Sequence, residues 1–121
     1  MKRALLLVAL TCAAAPALAD TYPVSGRFGV VQSFTDQPPD CTGKRVIAFN
    51  GEQRTDSKGG VPAYRNKSVQ SNGASAWKVI DIFTTGQISN AQAVYTLRQV
   101  KDGQLEMNMQ PGGMIKLQKC K

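Results

Sequence analysis

Beyond residue 20 the chain switches regularly between short apolar-rich segments and polar turn dipeptides. Ala93, Tyr95 and Leu97 face one way along their segment and Gln92, Thr96 and Arg98 the other, the period-two signature of a strand with one covered face. Leu105, Met107 and Met109 alternate in the same manner with Glu106 and Asn108, and Phe28, Val30 and Phe34 with Arg27 and Ser33. Between such segments stand Asn50-Gly51, Asn72-Gly73 and Asp102-Gly103, pairs that supply the positive φ angles of type I′ hairpin turns. Weaker turns fall at residues 57–60, 84–86 and 111–113. The spacing predicts eight strands, near residues 24–34, 44–49, 52–57, 61–71, 75–83, 91–101, 104–109 and 113–120. No long helical period occurs, although residues 86–92 have room for a short helical turn.

Consecutive strands joined by tight turns build an antiparallel up-and-down sheet. With about eight strands and no helix to cover an edge, closure into a single β-barrel removes the exposed edges; a two-sheet β-sandwich is the alternative. A barrel of this size has an interior just wide enough to be filled by side chains or to hold one small ligand. Phe28, Phe34, Phe49, Trp77, Tyr95 and the methionines are the expected filling, bulky enough to leave little void. The segment from Trp77 to Phe83 is apolar on both faces except at Lys78 and Asp81, so both sides of it are expected to be covered. Trp77 is expected to be a core plug whose N–H finds a buried acceptor. Asp81 is the carboxylate out of place: it either pairs with a Lys or Arg across the sheet or lines a pocket.

The first residues have a different character. Met1-Lys2-Arg3 precedes an apolar run from Ala4 to Leu10, and Ala17-Leu18-Ala19 supplies small residues at the positions a leader peptidase reads. Residues 1–19 are therefore expected to be a signal peptide cleaved between Ala19 and Asp20, leaving one domain over residues 20–121. The apolar run is too short to span a bilayer, which takes about 20 residues. Cys12 has Ala9 and Thr11 where a lipoprotein signal wants a branched apolar and a small residue, so it is expected to leave with the leader. Cys41 and Cys120 remain, and two cysteines in an exported chain read as one disulfide. A bacterial periplasmic or secreted location follows, in which the Asn66-Lys67-Ser68 sequon is plain polar chemistry.

Export changes the meaning of the charge. The formal +7 becomes +5 once Lys2 and Arg3 are removed. Without a run of basic residues interleaved with aromatics, nucleic acid is not an expected partner. An anionic envelope component or a protein surface is. Arg65 and Lys67, two apart on one strand, are expected to project together, with Lys116 and Lys119 completing a basic contact stripe and barrel closure bringing Arg27 near Lys116. Lys44-Arg45 forms another basic pair.

The chain has no histidine, which removes the usual general base and the commonest zinc and copper ligand. Asp36 and Asp40 flank Pro38-Pro39 in what reads as a solvated loop. No cofactor, metal or catalytic residue is assigned, and an enzyme is not the expected reading.

Gly26-Arg27-Phe28 resembles the Gly-x-Trp element of lipocalins and the wider calycin group, with Phe in the Trp place, and the closing Ile115–Cys120 segment is similar to that of small exported bacterial barrels of that shape. The resemblance implies the barrel fold; some barrels of that shape inhibit lysozymes or secreted proteases, which is one form the binding reading below takes. It implies no site residues. Two functions are thus expected: a monomeric, non-spanning module that binds a partner through surface loops, or a carrier of a small apolar ligand in the interior, with Met107, Met109 and Met114 as an adaptable lining.

Overall fold

The structure is a computed structural model that describes residues 21–58, 63–84, 91–109 and 112–121. It contains β1 (Gly26–Val31), β2 (Val46–Asn50), β3 (Gln53–Asp56), β4 (Ala63–Ser71), β5 (Ala76–Phe83), β6 (Gln92–Lys101), β7 (Gln104–Met109) and β8 (Gly113–Lys119). Each pairs antiparallel with the next, and β8 returns to β1, so the sheet closes into an up-and-down barrel rather than a sandwich. No helix occurs among the described residues. Most of the helical turn expected at 86–92, like the leader, Cys12 and the Ala19/Asp20 junction, lies outside them.

The Asn-Gly and Asp-Gly pairs do make hairpins, but not of type I′. Asn50, Asn72 and Asp102 keep negative φ while the glycine of each pair crosses over, Gly51 at +65°, Gly73 at +103° and Gly103 at +79°, joined in the β4–β5 turn by Ser75 at +57°. Gly51 occupies the first of two central positions between Asn50 and Gln53, the type II′ arrangement. These three turns, the start of β1 and the end of β8 mark one end of the barrel. The connections β1–β2, β3–β4, β5–β6 and β7–β8 mark the other.

The interior is filled from all sides. Phe28, Ile47, Phe49, Val79, Tyr95, Leu97, Leu105, Met107 and Leu117 are buried in one cluster. Tyr22 closes the hairpin end: its N–H donates to Gly51 O (3.1 Å) and its ring meets Phe49 edge-on at 5.0 Å. The plug expected of Trp77 is thus Tyr22 with Phe49. Trp77 is half-buried at the margin of the core, near the rim where β5 meets Ser71 and Leu97. Two other expected lining residues are elsewhere. β1 stops at Val31, leaving Phe34 outside the barrel beneath the Lys116 ammonium (5.8 Å), and Met114 is 49 % exposed on the outer face opposite Asn108.

The β1–β2 connection runs down the outside as a strap. Gln118 holds it three times, accepting from Thr35 N (3.0 Å) and donating to Thr35 O (2.7 Å) and Gln37 O (3.3 Å), and Lys121 N donates to Pro39 O (2.9 Å). Asp40 accepts from Thr42 N and Oγ1 (3.0 and 2.8 Å), so it is tied into a local turn. The strap is locked by the Cys41–Cys120 disulfide, Cα–Cα 5.7 Å, on the outer face where strand alternation directs Cys120. Joining positions 79 apart restricts the unfolded chain by roughly 4.5 kcal/mol in the chain-entropy view. Gly29 lies beneath the bridge, and a Cβ there would come within 2.8 Å of Cys41 Sγ.

Gly29→Ala is accordingly expected to lower stability of the oxidised protein by about 1–3 kcal/mol through overpacking. In urea unfolding, the loss should shrink once the disulfide is reduced. An equal loss in both redox states would show that the bridge is not what crowds this position.

Candidate functional site

The short strand β3 reads Gln-Arg-Thr-Asp, with no apolar residue, yet its alternate side chains are buried. Its register explains why. Arg54 is opposite Phe49 and Tyr64, and Asp56 is opposite Ile47, so both point inward with the core. On β4 and β5, Tyr64 pairs with Phe83 and Asn66 with Asp81. A bulge at Lys67 shifts the register between Asn66 and Ser68. The extra residue lets Asn66 and Val69, three apart, both face the interior.

These strands assemble a charged cluster inside the barrel. Arg54 Nε donates to Asp81 Oδ2 at 2.6 Å, Tyr95 OH to the same oxygen at 2.8 Å, and Asn66 Nδ2 to Asp81 Oδ1 at 3.2 Å. The Asp81 side chain is fully buried and that of Arg54 is 3 % exposed. The guanidinium carbon is 3.7 Å from the Tyr64 ring centroid and 5.0 Å from that of Tyr95, so aromatic faces cover what the carboxylate does not. Closer to the loop end, Arg45 forms a two-pronged pair with Asp56, Nε to Oδ1 (2.9 Å) and Nη2 to Oδ2 (2.6 Å), and Lys58 N adds a bond to Oδ1 (3.0 Å). Arg45, read as half of a basic pair with Lys44, is a partner of the interior carboxylate Asp56.

Protonation follows from these surroundings. Burial disfavours charge on Arg54, but Tyr95 and Asp81 beside it outweigh that, and its pKa rises. Burial, then the Asp81 charge, raises the Tyr22 phenol above its usual range, and burial raises Tyr95 likewise. Burial works against the Asp56 carboxylate, yet the Arg45 and Lys58 hydrogen bonds win and its pKa falls. Both tyrosines are thus neutral and both arginines charged at any ordinary pH. The Tyr22 hydroxyl and Asn66 Oδ1 are buried without a hydrogen-bond partner among the described residues. Asn66 is also the sequon asparagine, and its full burial leaves no room for a glycan on the folded barrel.

The cluster opens toward the loop end into a cavity of about 280 Å³, lined by Arg45, Arg54, Asp56, Tyr64, Phe83 and Met109 among others. It lacks histidine and free thiols. Among the described residues no group of three or more His, Cys, Asp or Glu side chains could hold a metal, and no helix is long and apolar enough to cross a membrane.

The structure does not bring the four basic residues of the expected stripe together. Arg65 and Lys67 are exposed on β4, while Lys116 and Lys119 are on β8, four strands away around a closed barrel of eight. Lys116 and Lys119 also point to opposite faces of their strand. Lys119 reaches over the hairpin end beside Gly26, and Lys116 faces Glu106 in register. Arg27 is not beside Lys116: its carbonyl takes the Cys120 N–H, whereas Lys116 is opposite Val31, about 13 Å further along the strand.

Fold and interior together define the class of protein: a closed eight-stranded up-and-down barrel, clamped outside by one disulfide and holding an ion pair at its centre. No known protein family, curated protein or solved structure matches the chain.

Removing Arg54 alone strands the buried Asp81 charge. Arg54→Met is expected to cost about 3–5 kcal/mol by urea unfolding. Adding Asp81→Asn, which removes the charge but keeps an acceptor for Tyr95, should recover part of that loss; a double variant no more stable than the single would contradict the pairing. Asp56 makes a pH prediction. Its folded pKa is below the unfolded value of about 3.9, so its contribution is complete above that value and is lost as pH falls through the folded pKa. The stability gap between the wild type and Asp56→Asn should be constant near neutrality and close on acidification below about pH 4.

Proposed function

We propose that the protein is a non-catalytic binding module of the bacterial envelope, exported as a monomer, which engages a protein or anionic envelope partner with its outer surface and loops. Inhibition of a partner enzyme is one form such binding takes. The observation that supports this reading most is the filled interior. A carrier needs room, and here the middle of the barrel is occupied by Val79, Tyr95, Leu97 and Met107 around an ion pair whose carboxylate is already bonded to three donors. For the small-ligand alternative the mouth offers a space of about 280 Å³ that is polar on one side and falls below the range usual for drug-sized ligands.

The anionic partner is best met by β4. Arg65 and Lys67 are exposed there, Lys78 is exposed on the neighbouring β5, and none of them is in an ion pair among the described residues. Lys116, half-buried over Phe34 and opposite Glu106 in register, is a weaker contact.

On vesicles or an acidic polysaccharide column, the protein should be retained at low salt and released as salt approaches about 0.5 M, where screening shortens to a few ångströms. Arg65→Glu with Lys67→Glu should abolish retention, and Lys116→Glu should leave most of it. Absence of low-salt retention, or equal loss from either substitution, would refute a β4 patch.

A further inference from the structure

The mouth cavity has an imbalance that the surface reading does not use. Its carboxylates are engaged. Asp81 Oδ2 receives Arg54 and Tyr95, Asp81 Oδ1 receives Asn66, and both Asp56 oxygens are taken by Arg45, one also by Lys58. Its donors are not. Arg54 uses only Nε, leaving Nη1 and Nη2 without an acceptor among the described residues, although the side chain is 97 % buried against the cavity (3 % exposed). Arg45 uses Nε and Nη2, leaving Nη1. Two guanidinium groups, held in place by buried carboxylates, thus line one small space with unused N–H groups.

We propose that this mouth is a binding site for a small carboxylate with a single-ring aromatic or similarly compact apolar body. A carboxylate supplies planar paired acceptors that match the guanidinium fork, and Arg rather than Lys is the residue suited to that geometry. Opposite the polar wall, the Tyr64 and Phe83 rings stand 4.7 Å apart at 53°, a tilted aromatic surface, with Met109 as a pliable neighbour. Size sets the rest. The cavity of about 280 Å³ equals the liquid volume of roughly nine waters, enough for one ring and its headgroup. A long acyl chain has nowhere to go, because the barrel below is closed by Tyr95, Leu97 and Met107. The two arginines and two aspartates sum to no net charge, so recognition comes from directed hydrogen bonds and depends weakly on salt.

The test is an NMR titration of the oxidised protein with sodium benzoate, benzamide and sodium octanoate. Benzoate should give saturable shifts confined to the loop-end residues of β3 to β6, with benzamide weaker by roughly tenfold, since a charged acceptor is replaced by a neutral one. Octanoate should bind no better than benzoate. Arg45→Gln with Asp56→Asn removes one guanidinium without stranding a charge, and should weaken benzoate severalfold while the spectrum stays folded. If that variant unfolds, Phe83→Ala, which deletes the aromatic wall, should weaken benzoate in the same way. The proposal is overturned if benzoate causes no saturable shift up to its solubility limit, if its shifts centre on Arg65 and Lys67, if benzamide binds equally well, if octanoate binds more tightly, or if a folded variant binds benzoate unchanged.

Discussion

The structure depends on one ion pair, Arg54 with Asp81, at the centre of a small barrel. Placing two charges where water does not reach is costly, and their attraction offsets that cost only when geometry and remaining hydrogen bonds are satisfied. The surrounding residues meet that requirement. Tyr95 and Asn66 complete the carboxylate, Tyr64 and Tyr95 cover the guanidinium, and the bulge at Lys67 turns Asn66 inward. The pair also guards register. A slip of one residue in β3 or β5 would move one charge to the outer face and leave the other alone inside, a far larger penalty than a misplaced apolar contact. In a barrel whose strands are as short as four residues, that is a strong constraint on which closure is formed.

Two ends with different properties follow. At the hairpin end, tight turns and Tyr22 packed on Phe49 cap the core, and the disulfide fastens the outer strap to the chain just beyond β8. At the loop end, the second pair, Arg45–Asp56, is partly open and the aromatic wall of Tyr64 and Phe83 borders a cavity.

The fold was legible because turns and alternation agree. Eight predicted segments correspond to eight strands, with boundaries off by a few residues where a strand runs into a strap, as at Val31. Cys120 could be placed on the outer face from alternation with Ile115 and Leu117, and the bridge to Cys41 followed from export chemistry. The interior site was only half legible. Asp81 stood out as a carboxylate in an apolar strand, but its partner did not, because Gln53-Arg54-Thr55-Asp56 has polar residues on both faces and hydrophobicity cannot say which face is inside. Tyr22 precedes the first strand and gave no periodic signal. The basic stripe failed for a topological reason: sequence clusters on β4 and β8 are as far apart as a barrel of eight allows.

The guanidinium protons of Arg54 report on the central pair most directly. In an NMR spectrum of the oxidised protein, the Arg54 Nε–H, donated at 2.6 Å to a fully buried carboxylate, should exchange with water far more slowly than those of exposed Arg27 and Arg65. It should lose that protection in Asp81→Asn. An Arg54 Nε–H that exchanges as fast as the exposed arginines would contradict a closed ion pair at the centre of the barrel.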